Sequence, residues 1–358
     1  VLVLYASFLT RSGILGETSV HAFTDLGMFW HLVLYVVAFL FIAVLFLVIR
    51  WKELPITKKD EETYSREFWL FIGALVLSIA CVQILASTSV PVFNAIFGSE
   101  IAPPADVIAH YNKWQVPFAV VIAFISAFSQ FLKYKKTDPK KFFVSISISL
   151  LVSVFITAAA VYLMNIYTNV MYIILTYASV FSILANAKIL GEAFKGKWRL
   201  AGSAVAHIGF ALLLVGALVA AATNKIISIN NTGIGFGDEF AKSNNPRENL
   251  ILYKDEPTKM DRYTVTYLGD STQGVNTYYR INYKVIDEKS GDVKENFTLY
   301  PNAQQNAKMR QIIASPDTRH YLFHDVYTHV SSVPLKEEDH EDHEGHSEDE
   351  KYEKPVTY

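Results

Sequence analysis

The chain has 358 residues, of which 51% are hydrophobic, 14% aromatic and 18% charged, and a formal net charge of -2. That balance gives no footing for nucleic-acid binding, and the single cysteine, Cys81, excludes an internal disulfide or a CxxC redox pair. Apolar residues concentrate before position 224 and polar ones after it, as expected of a membrane region followed by a polar domain.

Val1–Leu9 is apolar and lacks an initiator Met, a basic flank and a small-residue cleavage site, so it reads as the trailing end of a span in a longer polypeptide. Leu9–Leu15 (LTRSGIL) then leaves the membrane and leads to Ser19–Phe23 (SVHAF), which places His21 just outside the bilayer. Six full spans follow, at about Met28–Ile49, Phe68–Pro91, Gln115–Leu132, Phe142–Leu163, Val170–Ala187 and Ala201–Thr223. Loop 50–67 carries Arg50, Lys52, Lys58, Lys59 and Arg66. Loop 133–141 carries Lys133, Lys135, Lys136, Lys140 and Lys141, and loop 188–200 carries Lys188, Lys195, Lys197 and Arg199. The alternate loops hold only Arg11 and Lys113, so the positive-inside rule puts the basic loops in the cytoplasm. Everything after Thr223 then faces outward.

The last span, Ala201–Thr223, contains one ionisable side chain, His207. An imidazole in hydrocarbon must be neutral and partnered. Two readings stand: a histidine satisfied by a neighbouring helix, or an iron ligand, for which neutral imidazole is suited. Helical spacing puts Ser203, Ala204, Phe210 and Ala211 on its face, and Ser203 is placed to accept a bond from the ring nitrogen that does not bind metal. Gly202, Gly209 and Gly216 recur on another face, as expected for close helix packing. The prolines Pro91, Pro103, Pro104 and Pro117 read as span ends or loop residues.

Beyond Asn224 the period becomes that of strands. In Tyr278–Ile286, Tyr279, Ile281, Tyr283 and Val285 fall on one face, and the segment at 287–292 reads as a hairpin loop into Val293–Leu299. With Leu250–Tyr253, Arg262–Leu268 and Tyr321–His329 this predicts a small antiparallel domain over 224–335. His320, His324 and His329 lie in strand-like sequence rather than on one helix face, and His31 and His110 read as structural hydrogen-bonders. The tail 336–358 is acidic and histidine-containing, as in a disordered segment. The expected fold class is therefore a polytopic α-helical membrane protein with an external, mainly antiparallel β domain.

Particular words in the chain carry a resemblance. TRSGIL, SVHAF, SRE at Ser65–Glu67, PP with YN at Pro103–Asn112, and AHIG at Ala206–Gly209 resemble, in order and spacing, the CcmF family of integral-membrane cytochrome c haem lyases of the bacterial Ccm pathway. The β domain matches through Pro301 and DVY at Asp325–Tyr327. The resemblance implies that His21 is one of two external ligands of haem in transit as substrate, and that His207 is one of two ligands of a permanent, buried haem b. It implies haem delivery by the chaperone CcmE and thioether attachment to the CxxCH cysteines of apocytochrome c, with thiol-reducing partners such as CcmH. The family's tryptophan-rich segment and its other two histidines lie upstream and are not in this sequence. Arg11, beside Ser12 and Gly13, has two readings, a haem-propionate partner or a plain interfacial anchor, and Tyr111, Asn112 and Trp114 are candidates for the external path. A haem or solute transporter and a non-catalytic scaffold are the other function classes. The first should show repeated halves with broken helices, and the second leaves His207 unexplained.

Overall fold

The computed structural model describes residues 1–15, 27–54, 62–102, 104, 106–196, 198, 201–233, 235–237, 240–241, 244–287, 289–306, 311–322 and 324–332. The chain divides into two units, Val1–Asn224 and Lys225–Tyr358.

The first unit is helical: α1 (Leu2–Arg11), α2 (Phe29–Ile49), α3 (Arg66–Thr88), α4 (Val90–Phe97), α5 (Val107–Phe128), α6 (Pro139–Met164), α7 (Val170–Phe194) and α8 (Ala201–Thr223). Six of the described helices are long and apolar enough to cross a bilayer, which makes the chain a multi-pass membrane protein. Polar residues set their starts. Ser65, Asp106, Asp138 and Asn169 each accept an N–H from the first turn of α3, α5, α6 and α7.

Those caps explain where the helices outrun the apolar stretches. The expected start of the third span at Gln115 is too late, because α5 begins at Val107 and its polar first turns find partners on α3. His110 Nε2 lies 3.0 Å from Ser87 Oγ, and Gln115 donates to Gln83 Oε1 at 2.6 Å. The span expected at Phe68–Pro91 instead ends at Thr88. Pro91, which has no N–H to donate, stands in the first turn of the separate helix α4, and Gly98, at φ +63, closes that helix. Pro117 stands inside α5 rather than at an end.

Helix α7 packs against α5, α6 and α8. Its inward face is small or hydroxylated (Ala178, Ser179, Ser182, Ala185), which lets the backbones approach closely. Phe181, 1% exposed, packs with Phe142 and Leu132 at the basic-loop end. Two of the basic loops meet there: Arg66 N–H donates to Lys133 O at 2.9 Å and Thr137 N–H to Tyr64 O at 2.8 Å. At the other margin α1 packs on α2 and α4 through Phe8, Leu9 and Val92. No residue of α2 is fully buried, and its contact with that cluster is made by the partly buried Phe29, Leu32, Val33 and Val36.

The second unit contains β1 (Pro257–Met260), β2 (Tyr263–Gln273), β3 (Asn276–Ile286), β4 (Val293–Leu299), β5 (Asn302–Asn306), β6 (Gln311–Ser315), β7 (Asp317–His320) and β8 (Asp325–Thr328). All strand pairs are antiparallel. Long β3 takes β2 on one edge and, on the other, β4 along one half and β5 along the other half, while β7 and β8 form a separate ribbon. The 287–292 hairpin is present, closed by Asp287 N–H donating to Asp292 O at 2.9 Å. Val265, Ile281, Tyr283, Leu299 and Val326 form the core.

One expectation needs correction, and two features of this unit were not foreseen. Leu250–Tyr253 is extended but is not a strand, because β1 occupies the edge of β2 that it would need, and among the described residues the segment is followed by a single isolated bridge, Lys254 to Tyr267. Strands β5 and β6 had no alternation to announce them, since they are held through backbone pairing, with Ala303 their buried anchor. Asn282, on the face of β3 opposite Tyr279, Ile281, Tyr283 and Val285, is also buried, and its amide nitrogen is satisfied by Asn296 Oδ1 at 2.8 Å, Thr298 Oγ1 and the Phe297 carbonyl.

Candidate functional site

Helix α8 packs through Ala204, Ala211 and Leu218, spaced by seven and all buried. His207 lies on the margin of that seam, partly buried, roughly 9 Å along the helix from Ala201 at 1.5 Å per residue. Gly202, Gly209 and Gly216 face away from the seam, and a Cβ added at any of them would meet nothing within 4 Å. The expected use of this stripe in packing is therefore not realised among the described residues, because the alanine seam does that work.

The imidazole is held from one side. Its Nδ1 lies 2.8 Å from Gln130 Nε2 and 3.4 Å from Asn186 Oδ1. Gln130 stands in the 3-10 turn Ser129–Phe131 that ends α5, and Asn186, 0% exposed, projects from the middle of α7. Gln130 Nε2 also donates to Asn186 Oδ1 at 2.8 Å. Asn186 Nδ2 donates to the carbonyls of Ser126 at 3.0 Å and Ser182 at 2.9 Å, and the hydroxyls of Ser126 and Ser182 are 3.0 Å apart. Ser203 Oγ donates to Gln130 Oε1 at 3.1 Å, so it is linked to the imidazole through this amide. Arg66, at the start of α3, donates from Nη2 to the Gln130 carbonyl at 2.8 Å and ties the 3-10 turn to the cap of that helix.

The result is a polar ladder across α5, α7 and α8 in otherwise apolar surroundings. Buried polar groups in a bilayer must be paired internally, and here each amide serves two or more neighbours. Both readings of His207 require such a bond: it satisfies a core histidine, and it orients a metal-binding one.

The other expected site residues are dispersed. His21 lies outside the described residues. Arg11 is exposed in the last turn of α1, followed by buried Ser12 and by Gly13 at φ +78. His110 is a structural hydrogen-bonder between α3 and α5, in the first turn of α5 rather than in a loop. In the second unit, His320 Nδ1 is 3.2 Å from Asp325, and His324 stacks on Tyr321 with its Nε2 2.6 Å from Arg262. His329 is exposed, and partial desolvation by the surrounding protein holds its pKa below the ordinary histidine value. The histidines His340, His343 and His346 lie outside the described residues.

Gln130 and Asn186 are the residues that reading the sequence did not find. Their signal was present: an amide within, or at the end of, an apolar span carries the same desolvation penalty that drew attention to His207.

No family model and no curated protein matches the chain. Among solved structures, it is similar to a cytochrome c haem lyase, CcmF, with a TM-score of 0.51 and 15% sequence identity, covering 89% of this chain and 50% of that one. The chain has a CcmF-type fold and spans about half the length of that structure.

Proposed function

We propose that the chain is the haem-lyase subunit of a cytochrome c maturation system, a protein of the bacterial inner membrane whose sheet unit faces the periplasm. In this reading the substrate haem comes from the chaperone CcmE and is joined to apocytochrome c. Each of two CxxCH thiols adds across a haem vinyl group, its sulfur bonding to one vinyl carbon and a hydrogen going to the other, so no oxidant is consumed. CcmH-type partners keep those thiols reduced. Proximity at the membrane surface supplies much of the rate, because the vinyl edge and an unfolded polypeptide are held together there.

The observation that carries the proposal is that the Gln130 and Asn186 amides hold His207 at Nδ1, in a chain with a CcmF-type fold. The residues present fit a resident haem b: an imidazole on the edge of the seam rather than within it, and a second residue orienting its Nδ1. His207 would bind iron through Nε2, and Ser203 and Gln130 would fix the ring. Such a group supplies one-electron chemistry when bound. His21 is proposed as an external ligand of the haem in transit, and Arg11 as the partner of a propionate at the membrane exit.

The test is the reduced-minus-oxidised visible spectrum of the detergent-purified complete polypeptide, with and without His207→Ala, alongside holo-cytochrome c yield in the same cells. Loss of a b-type signal together with yield is the expected result. An unchanged haem signal would remove His207 as a ligand.

A further inference from the structure

Hydrogen-bond bookkeeping in the ladder fixes where the protons lie. The Asn186 group facing the Ser126 and Ser182 carbonyls must be its NH2, because two carbonyls can only accept. Its oxygen therefore faces Gln130, so the Gln130 group 2.8 Å away must be that residue's NH2. The same nitrogen lies 2.8 Å from His207 Nδ1, which must then be the acceptor. The ring proton is left on Nε2, the nitrogen that an iron ligand needs bare.

We propose that Gln130 is a positioning residue that decides which tautomer His207 adopts, and that metal ligation turns its amide over. This rests on the haem-ligand reading of His207. With the amide reversed, Gln130 Oε1 accepts from Nδ1–H and Nε2 is free to ligate, the ring proton having passed from Nε2 to Nδ1 by exchange with water. Two neighbours make the reversal possible. Ser203 Oγ donates to Oε1 in the present state and can accept from the NH2 in the reversed one, since a hydroxyl does both. The reversal gives up the 2.8 Å bond from Gln130 to Asn186 Oδ1, because two amide oxygens then face one another, and Asn186 Oδ1, 3.4 Å from Nδ1, accepts a share of the Nδ1–H in its place. Arg66 holds the Gln130 backbone in place while the side chain turns.

The test uses the complete polypeptide with Gln130→Glu, Gln130→Leu and His207→Ala. Glutamate is nearly isosteric and its carboxylate only accepts, which locks the ligating tautomer and makes the imidazole a stronger donor. The midpoint potential of the b-type haem should fall. Gln130→Leu should retain haem roughly 10-fold less tightly, in line with the loss of an outer-shell partner. In the haem-free wild-type protein, 15N resonances of labelled histidine, with His207 identified by difference from His207→Ala, should show protonation at Nε2. A ring protonated at Nδ1, or a potential and haem retention unchanged in both Gln130 variants while His207→Ala strips the haem, would overturn the proposal and leave the ligand reading intact. Haem retained in His207→Ala would instead remove the ligand reading itself.

Discussion

Replacing Asn186 with Leu, which keeps the volume and removes the amide, measures what the polar ladder contributes to folding. Asn186 is 0% exposed and makes three contacts of 3.0 Å or less, two to helix carbonyls and one from Gln130. Interhelical hydrogen bonds in bilayers average about 0.6 kcal/mol and reach about 1.7, because the unfolded chain in the membrane finds partners too. Two of the three cross to another segment, Ser182 being on the same helix, so Asn186→Leu should destabilise by about 1 kcal/mol at that average. Gln130→Leu should be milder, since that residue is only partly buried. The double variant should cost less than the sum, because the apolar pair leaves neither amide unsatisfied, and the coupling energy should be about 1 kcal/mol. The assay is reversible unfolding of the purified protein in mixed micelles by titration with sodium dodecyl sulfate. A coupling energy below about 0.3 kcal/mol, the usual scatter of additivity, would refute the claim that the two amides act as one unit.

Two further predictions concern the elements around the site. Partial desolvation pushes the pKa of the exposed His329 below its ordinary 6.5, so the folded state favours the neutral ring. A depressed folded pKa gives stability that is present above the unfolded value and is lost as pH falls through the folded one. Amide protection in the sheet unit, followed by hydrogen exchange, should therefore weaken as pH drops below 6.5, and His329→Phe should flatten that dependence. Ser65→Ala removes a fully buried cap that accepts from Phe68 N–H at 3.1 Å, and should lower stability by about 1 kcal/mol in the same micelle titration. An unchanged midpoint would show that this end of α3 is held by Arg66 instead.

The places where the sequence misled are those where a polar residue found a partner on another helix. Gln115 marked the end of an apolar run, yet α5 continues eight residues further toward its N-terminus because Asp106 caps it and Gln83 and Ser87 receive its amide and imidazole. Asn282 sat on the polar phase of a strand and is buried because three acceptors on β4 surround it. Ser203 was correctly placed on the face of His207, but the intervening Gln130 comes from a segment more than seventy positions earlier.

Local composition alone determined that this chain crosses a membrane, where its spans lie, which loops share an end, and that a strand-forming domain follows. Those properties depend on hydrophobic length and on period 2, and both are written in consecutive residues. Tertiary structure decided which face of α8 packs, and that the alanine seam rather than the glycine stripe meets α7. It also decided which side chain holds the imidazole. A hydrogen bond between Gln130 and His207 depends on three helices arriving in register, and no spacing within one helix encodes that.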